Sequence, residues 1–211
     1  MRPAVITVAQ QKGGAGKTTL VIQLATALRA RGHRVAVVDI DPQASLTGWM
    51  RLREHRQREA PELRFSMIGG WRLGVELDRL KREAELIVVD TPPHTETDAR
   101  TAIRNADLVL IPCQPSTLDI WASKATLDQA VKERRPVALV LNRVPPRGRS
   151  VEEARSAIGE FGAEALACQL GNRQAFVSSI AQGLGVIESE PRSAAAEEVR
   201  SLAEDIVRRL G

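Results

Sequence analysis

Strand-like and helix-like segments alternate along this 211-residue chain, and the alternation limits its possible folds more than any other feature. Short apolar or β-branched runs predict strands at residues 4–9, 35–39, 64–68, 86–90, 108–112, 137–142 and 164–168. Helical spacing of apolar residues predicts helices at 18–31, 44–55, 71–84, 118–134, 150–160, 174–182 and 193–210. Buried strands joined by crossover helices form a mostly parallel sheet with helices on both faces. We therefore predict an α/β three-layer sandwich that occupies residues 1–211 as a single domain.

A glycine-rich loop joins the first predicted strand to the first predicted helix. Residues 12–19 contain three glycines and two lysines. Glycines let the backbone curl so that its N–H groups face an anion, and the following helix adds its positive N-terminal dipole. In such a P-loop, Lys17 can reach the phosphates and the Thr18 hydroxyl can ligate Mg²⁺. The predicted nucleotide-binding residues are Gly13, Gly14, Ala15, Gly16, Lys17, Thr18 and Thr19.

The loop departs from the usual G-x-x-x-x-G-K-[ST] pattern at its first position, which is Gln11. A second lysine, Lys12, precedes the first two glycines instead. A lysine at the start of the loop cannot easily reach the phosphates of its own site, but it can reach those of a partner chain that faces it. There it would neutralise charge that develops on the transferred phosphoryl group, so we assign Lys12 and Lys17 catalytic roles.

Polar residues follow several predicted strands, at 39–43, at 90–94 and at Asn142. Mg²⁺ prefers oxygen ligands and keeps several waters, so Asp39 and Asp90, at the ends of neighbouring strands, are predicted metal-site residues. Asp41 lies further along its loop and is predicted to orient or deprotonate the attacking water. Asn142 has two interpretations: it reads the adenine ring, or it is an ordinary strand-end asparagine.

Composition says less about the binding partners of the chain than the motifs do. The chain carries 30 Lys and Arg against 26 Asp and Glu, a formal charge of +4. This mild excess fits either a solvated surface or a patch that contacts DNA phosphates. The two cysteines are not in a CxxC pattern, so a zinc or redox pair has little support. No apolar run reaches the length of a membrane-spanning helix and no signal peptide is visible, so we expect a cytoplasmic protein.

The segments 12–19, 39–43, 86–92 and 142–143 together resemble the ParA/MinD group of deviant Walker ATPases. The sequence DIDPQASLTGW after the second strand is most similar to the ParA branch, and residues 172–174 and 176–183 resemble the short, ParF-like partition ATPases. The resemblance implies ATP and Mg²⁺ as cofactors, slow hydrolysis, and a homodimer that closes on ATP binding. It also implies non-specific DNA binding, nucleoid association and a ParB-like stimulating partner. The cargo would be a plasmid, a chromosome or a protein complex.

Non-specific DNA binding requires clustered cationic side chains that contact phosphates. Each candidate alone also fits an ordinary solvated arginine. The candidates are Arg143, Arg147, Arg149, Arg173, Arg192, Arg200, Arg208 and Arg209.

Three other classes stay open at this point. A MinD-like membrane-positioning ATPase would insert its last helix into lipid, but acidic residues on the polar face of helix 193–210 favour docking onto the protein body, so no membrane is expected. An amide ligase or synthetase of the dethiobiotin–cobyrinate type would need a second polar constellation, which the sequence does not show. An iron–sulfur carrier would need paired cysteines.

Overall fold

The computed structural model describes residues 2–57, 60, 62–93 and 96–211 of the chain. The predicted polar segment 90–94 is described as far as residue 93, and His94 lies outside the described residues. Within the described part, no helix combines the length and the apolar character needed to cross a lipid bilayer.

The centre of the molecule is a parallel seven-stranded sheet in the order β3-β2-β4-β1-β5-β6-β7. Its strands are β1 (Ala4–Val8), β2 (Val35–Asp39), β3 (Arg64–Met67), β4 (Leu86–Asp90), β5 (Leu108–Cys113), β6 (Val137–Val144) and β7 (Ala165–Gly171). The strands β1, β2, β4 and β5 are buried throughout. This explains why they are apolar at nearly every position instead of alternating.

Helices cover both faces of the sheet. They are α1 (Lys17–Ala30), α2 (Ser45–Arg56), α3 (Leu73–Leu80), α4 (Glu96–Arg104), α5 (Thr117–Lys132), α6 (Ser150–Glu160), α7 (Gln174–Ala181), α8 (Val186–Ser189) and α9 (Ala194–Leu210). One face packs against α1, α2, α7, α8 and α9, and the opposite face packs against α3, α4, α5 and α6. The predicted three-layer α/β sandwich is confirmed, with every strand pair parallel.

The structure differs from the predicted elements in three places. The sequence prediction had no helix at Glu96–Arg104, where α4 forms, and none at Val186–Ser189, where α8 forms. The predicted helix at 71–84 is a 3₁₀ turn at Gly70–Arg72 followed by α3, which ends at Leu80. Because α4 buries only a short apolar stripe that includes Ala102 and Ile103, its sequence carries a weak helical signal.

The strand order places β1 between β4 and β5. In open parallel sheets, ligands bind beyond the carboxyl ends of the strands, at the point where the order reverses. The loop that follows β1 lies at that point, and the loops that follow β2, β4 and β6 lie along the same carboxyl edge.

Candidate functional site

The loop between β1 and α1 depends on glycine at two positions. Gly14 and Gly16 have φ angles of 76° and 90°, in the left-handed region that glycine adopts readily. A Cβ at Gly16 would also collide with the side-chain amide of Asn142. That amide donates from Nδ2 to the carbonyl oxygen of Ala15 at 3.0 Å. Asn142, at the end of β6, therefore holds this loop by a direct hydrogen bond.

The start of α1 has the features of an anion site. Gly16 is the N-cap and offers no side-chain cap, and the first turn contains no acidic residue. The first hydrogen bond into the helix runs from the Leu20 N–H to the Gly16 carbonyl at 2.9 Å. The N–H groups of residues 17–19 precede that bond, and such groups bind phosphate together with the helix dipole.

Lys17 lies inside this site rather than on the surface. Its side chain is buried, and its Nζ donates to the carbonyl oxygen of Gln10 at 3.1 Å. Burial lowers the pKa of Lys17, while the nearby carboxylates of Asp90 and Asp41 act to raise it. The ammonium group is thus desolvated and faces two carboxylates, so an incoming phosphate would meet a strong local cation.

Asp39 and Asp90 are side by side at the carboxyl ends of β2 and β4, where they form a register pair. The Thr18 hydroxyl donates to Asp90 Oδ2 at 2.7 Å. The other carboxylate oxygen, Oδ1, is buried and has no hydrogen-bond partner in the described part of the chain. A free carboxylate oxygen beside a threonine hydroxyl matches the oxygen ligands that Mg²⁺ prefers.

The charge state of Asp90 depends on its surroundings. Burial raises the pKa of Asp90 to about 7, and repulsion from Asp39 and Asp41 adds to this, whereas the Thr18 hydrogen bond and Lys17 oppose it. A cation bound at this carboxylate would favour the ionised form.

Asp39 and Asp41 organise the loop after β2. Asp39 Oδ1 accepts from the Asp41 N–H at 3.0 Å, and Asp39 Oδ2 accepts from the N–H and the hydroxyl of Thr47 in the first turn of α2. Asp41 is 8% exposed, and its Oδ1 accepts from the Gln43 N–H at 2.9 Å. Asp39 therefore connects the position of Asp41 to the start of α2.

Lys12 points to α5. Its Nζ lies 2.9 Å from Asp119 Oδ1, in the first turn of that helix. Ser116 caps α5 by accepting from the Asp119 N–H, and its hydroxyl also contacts the Asp119 carboxylate. Within one chain, this lysine is held by a carboxylate on a neighbouring helix.

A small cavity of about 80 Å³ opens beside the P-loop, on the side of β6 and β7. Its lining includes Thr19, Asn142 and Arg143, together with Asn172 and Phe176, which the sequence prediction did not assign to the site. A flat aromatic ring near polar amides is suited to a nucleobase. The Asn142 Oδ1 accepts from the Arg143 N–H at 2.9 Å, so both ends of this amide already make hydrogen bonds within the chain.

The candidate DNA-binding arginines fall into two groups. The first group is held by ion pairs: Arg173 with Glu198, Arg200 with Glu197, and Arg208 and Arg209 with Asp205. The second group consists of Arg143, Arg147, Arg149 and Arg192. Their side chains make no hydrogen bond or ion pair with any described residue.

Four of these eight arginines share one edge of the sheet. Arg143 is the penultimate residue of strand β6, and Arg147 and Arg149 follow it in the loop before α6. Arg173 follows the neighbouring strand β7, and its partner Glu198 lies in the second turn of α9. The cations therefore border the same carboxyl edge that carries the P-loop.

Two further predictions concern the second loop and the cysteines. After β4, the Thr91 hydroxyl donates to the Val8 carbonyl at 2.9 Å, which ties the start of the polar segment 90–94 to the end of β1. Cys113 and Cys168 belong to different core clusters on opposite faces of the sheet. The two thiols of one chain therefore cannot ligate a common cluster.

Sequence comparisons place this geometry in a known group. The model of the CobQ/CobB/MinD/ParA nucleotide binding domain matches residues 6–186. The chain is 29% identical to maintenance of carboxysome distribution protein A of Halothiobacillus neapolitanus over 96% of this chain and 95% of that protein. It is 31% identical to the protein of the same name in Gloeobacter kilaueensis, over 98% and 95% of the two chains.

A solved structure shares the fold over almost the whole length. The cell division ATPase MinD of Pyrococcus furiosus superposes with a TM-score of 0.80 at 21% identity, covering 99% of each chain. Together with the glycine-dependent loop, the buried Lys17 and the paired aspartates, the family match over residues 6–186 shows that this chain belongs to the CobQ/CobB/MinD/ParA nucleotide-binding family.

Proposed function

We propose that this protein is a Mg-ATP-dependent ATPase of the ParA type. It dimerises on ATP binding, binds DNA without sequence preference and positions a cargo with the help of a stimulating partner protein. The observation that carries the proposal is the arrangement around Asp90: a partnerless buried carboxylate oxygen next to the Thr18 hydroxyl, with Lys17 alongside.

The residues present fit Mg-ATP. The N–H groups at the start of α1 and the Lys17 ammonium would hold the phosphates, and Thr18 and Asp90 would hold the ion or its waters. When bound, Mg²⁺ would neutralise phosphate charge. Asp41 would orient the attacking water, because it lies on the loop that Asp39 fixes next to Lys17.

Dimerisation is supported by the surface around Lys12. The first turns of α5 expose Leu118 and Trp121, on either side of the Asp119 that binds Lys12. Large apolar side chains at the surface are typical of protein interfaces. A second copy that covered them would bring its own Lys12 close to the nucleotide of the first.

The DNA surface would be the arginines at the carboxyl edge of β6 and β7. The relatives from Halothiobacillus and Gloeobacter are named for carboxysome distribution, which supports a protein assembly as cargo alongside a plasmid or chromosome. We propose a nucleoid-associated location in the cytoplasm and a ParB-like stimulating partner, in line with the family resemblance.

The membrane alternative has less support from the geometry. The apolar stripe of α9, including Val199, Leu202 and Ile206, is fully buried in the core that β7 and α1 share. A helix that keeps this stripe in the core cannot offer it to lipid.

The decisive experiment is DNA binding with and without ATP. We expect binding only with Mg-ATP, and we expect the Arg147→Glu/Arg149→Glu variant to lose at least tenfold in affinity, as about two lost phosphate contacts would cause. Lys81→Glu/Arg82→Glu is the matched control, because both residues follow α3, immediately before the amino end of β4. Equal losses in both variants, or binding indifferent to ATP, would reject the DNA role. Failure of the wild-type protein to bind ATP would reject the whole proposal.

A further inference from the structure

A second, larger cavity lies on the other side of the P-loop from the small one. It has a volume of about 600 Å³ and is bordered by α4, α5 and the end of β1. Gln10 and Gln11, at the root of the P-loop, form part of its wall. Sites for small molecules commonly fall within this range of volumes, about 300–1,000 Å³.

The cavity is strongly cationic. Arg100 and Arg104 of α4 and Lys132 of α5 line it. Among the described side chains, the carboxylate that all three act on is Glu133, whose pKa is lowered by the Arg100 hydrogen bond and by all three positive charges. Arg100 Nε bonds to Glu133 Oε1 at 2.7 Å, which accounts for one cation. Arg104 and Lys132 make no ion pair or side-chain hydrogen bond with any described residue.

Neutral polar groups complete the lining. Thr101 of α4 and Thr126 and Gln129 of α5 face the cavity together with Gln11. The Thr101 and Thr126 hydroxyls already donate within the chain, and one N–H of Gln129 donates to Glu133, so the second N–H of Gln129 and the Gln11 amide are the donors left for an oxyanion. Three cations against one carboxylate leave an excess of two positive charges, which favours a ligand with at least two negative charges.

The cavity is physically connected to the P-loop. The Gln11 N–H donates to Thr126 Oγ1 at 3.4 Å, and the Thr126 hydroxyl donates to Gln10 Oε1 at 3.4 Å. Gln10 Nε2 also donates to Ser123 Oγ at 2.8 Å, and the Gln10 carbonyl accepts from Lys17. An occupant of the cavity would therefore contact residues that position Lys17.

We propose that the cavity between α4 and α5 binds a small polyanion, of phosphate or carboxylate chemistry, at a site separate from the nucleotide. The ligand carries at least two negative charges to match Arg104 and Lys132, and it contacts the root of the P-loop. The site stands on its own lining residues and does not require the chain to hydrolyse ATP.

The test is calorimetric titration of the full chain in metal-free buffer with pyrophosphate and, separately, with citrate. The Lys17→Ala variant reports whether a titrant binds only in the P-loop. Arg104→Gln/Lys132→Gln removes the two lining cations that form no hydrogen bond with Glu133. Lys81→Gln/Arg82→Gln makes the same change of charge at two residues outside the cavity lining.

We expect a dissociation constant that Lys17→Ala leaves unchanged within about twofold and that Arg104→Gln/Lys132→Gln raises at least about tenfold, since charge-assisted hydrogen bonds are lost. The control should change it by less than about twofold. Binding of pyrophosphate alone identifies phosphate chemistry, binding of citrate alone identifies carboxylate chemistry, and binding of both identifies charge as the shared requirement.

Three results would overturn the site. They are loss of binding in Lys17→Ala, equal weakening in the control variant, and no binding of either anion up to about 1 mM. Each variant's thermal melting curve shows that it is folded before it is titrated.

Discussion

Lys12 Nζ forms an ion pair with Asp119 Oδ1 at 2.9 Å, which fixes the first lysine of the P-loop to the start of α5. Lys12 is 41% exposed and Asp119 is 10% exposed, so solvent weakens this pair only in part. If Lys12 acts on the nucleotide of a partner chain, the ion pair must break first. Under the proposed function, the pair therefore opposes dimer closure.

The first prediction concerns this contact. Asp119→Asn removes the competing charge and keeps an oxygen acceptor for the α5 cap, so we expect ATP-dependent dimerisation to strengthen by roughly two- to fivefold, the range of a partly exposed ion pair. Lys12→Ala should bind nucleotide normally but lose dimer closure and hydrolysis. Dimerisation is measured by analytical ultracentrifugation with ATP.

Asp128→Asn is the matched control, because Asp128 lies on the same helix and pairs with Lys124 at the surface. Equal strengthening in Asp128→Asn would show a general charge effect. Normal turnover by Lys12→Ala would contradict the role of Lys12 across the dimer.

The second prediction separates binding from hydrolysis. Lys17→Ala should weaken the binding of ATP by at least about a hundredfold, because a buried charge-assisted contact to phosphate is lost. Asp41→Ala should keep ATP affinity within about twofold and stop hydrolysis, which traps the dimer. Fluorescent-nucleotide binding and phosphate release measure the two effects. Asp78→Ala, an exposed carboxylate on α3, should change neither, and normal hydrolysis by Asp41→Ala would disprove its role.

The sequence predicts the parts of the site that depend on local order. Gly14, Gly16 and Lys17 follow an apolar strand, and parallel strands place Asp39 and Asp90 side by side, so spacing alone locates them. Contacts between distant segments of the chain cannot be located from spacing in this way. Lys12 and Asp119 are 107 residues apart, and no periodicity relates their positions.

The cationic cavity could not be predicted from the sequence for the same reason. Its charges come from α4 and α5, and α4 has too few apolar positions for its sequence to mark a helix. Each arginine or lysine alone looks like a solvated surface residue. Only the packing of the two helices against β1 brings Arg100, Arg104 and Lys132 together around Glu133.

The third prediction concerns pH. The pKa of Asp90 rises from 3.8 to about 7 in the folded protein, so the folded state binds the proton more tightly than the unfolded state does. This contribution to stability is complete below about pH 4 and is lost as the pH rises to about 7. The stability of nucleotide-free protein relative to Asp90→Asn should therefore fall over this range by on the order of 4 kcal/mol.

Urea denaturation of both proteins between pH 4 and pH 8 measures the difference, with Asp78→Asn as a control that follows the wild type. Parallel curves for the wild type and Asp90→Asn would contradict the raised pKa. Addition of Mg²⁺ and ATP should reverse the trend, because a cation binds the ionised carboxylate.

The fourth prediction tests the packing contact between α2 and the turn that connects α7 to α8. Arg53 is 4% exposed; it donates to the Gly183 carbonyl at 3.0 Å and pairs with Glu188 at 2.7 Å. Gly183 has a φ of 77°, and a Cβ there would lie 2.9 Å from the Arg53 Cα. Gly162 has a similar φ of 69°, but open space surrounds its Cβ position.

The two glycines therefore separate backbone strain from steric collision. Gly162→Ala should cost about 1 kcal/mol of unfolding free energy, from the left-handed conformation alone. Gly183→Ala should cost a further 1–3 kcal/mol or so, because the backbone of α2 cannot move aside as a flexible side chain could. Chemical denaturation of both variants measures the difference. Equal losses would mean that the backbone of α2 can shift to make room for the added methyl group. The close backbone contact would then not be needed to hold α2, the helix that follows the Asp41 loop.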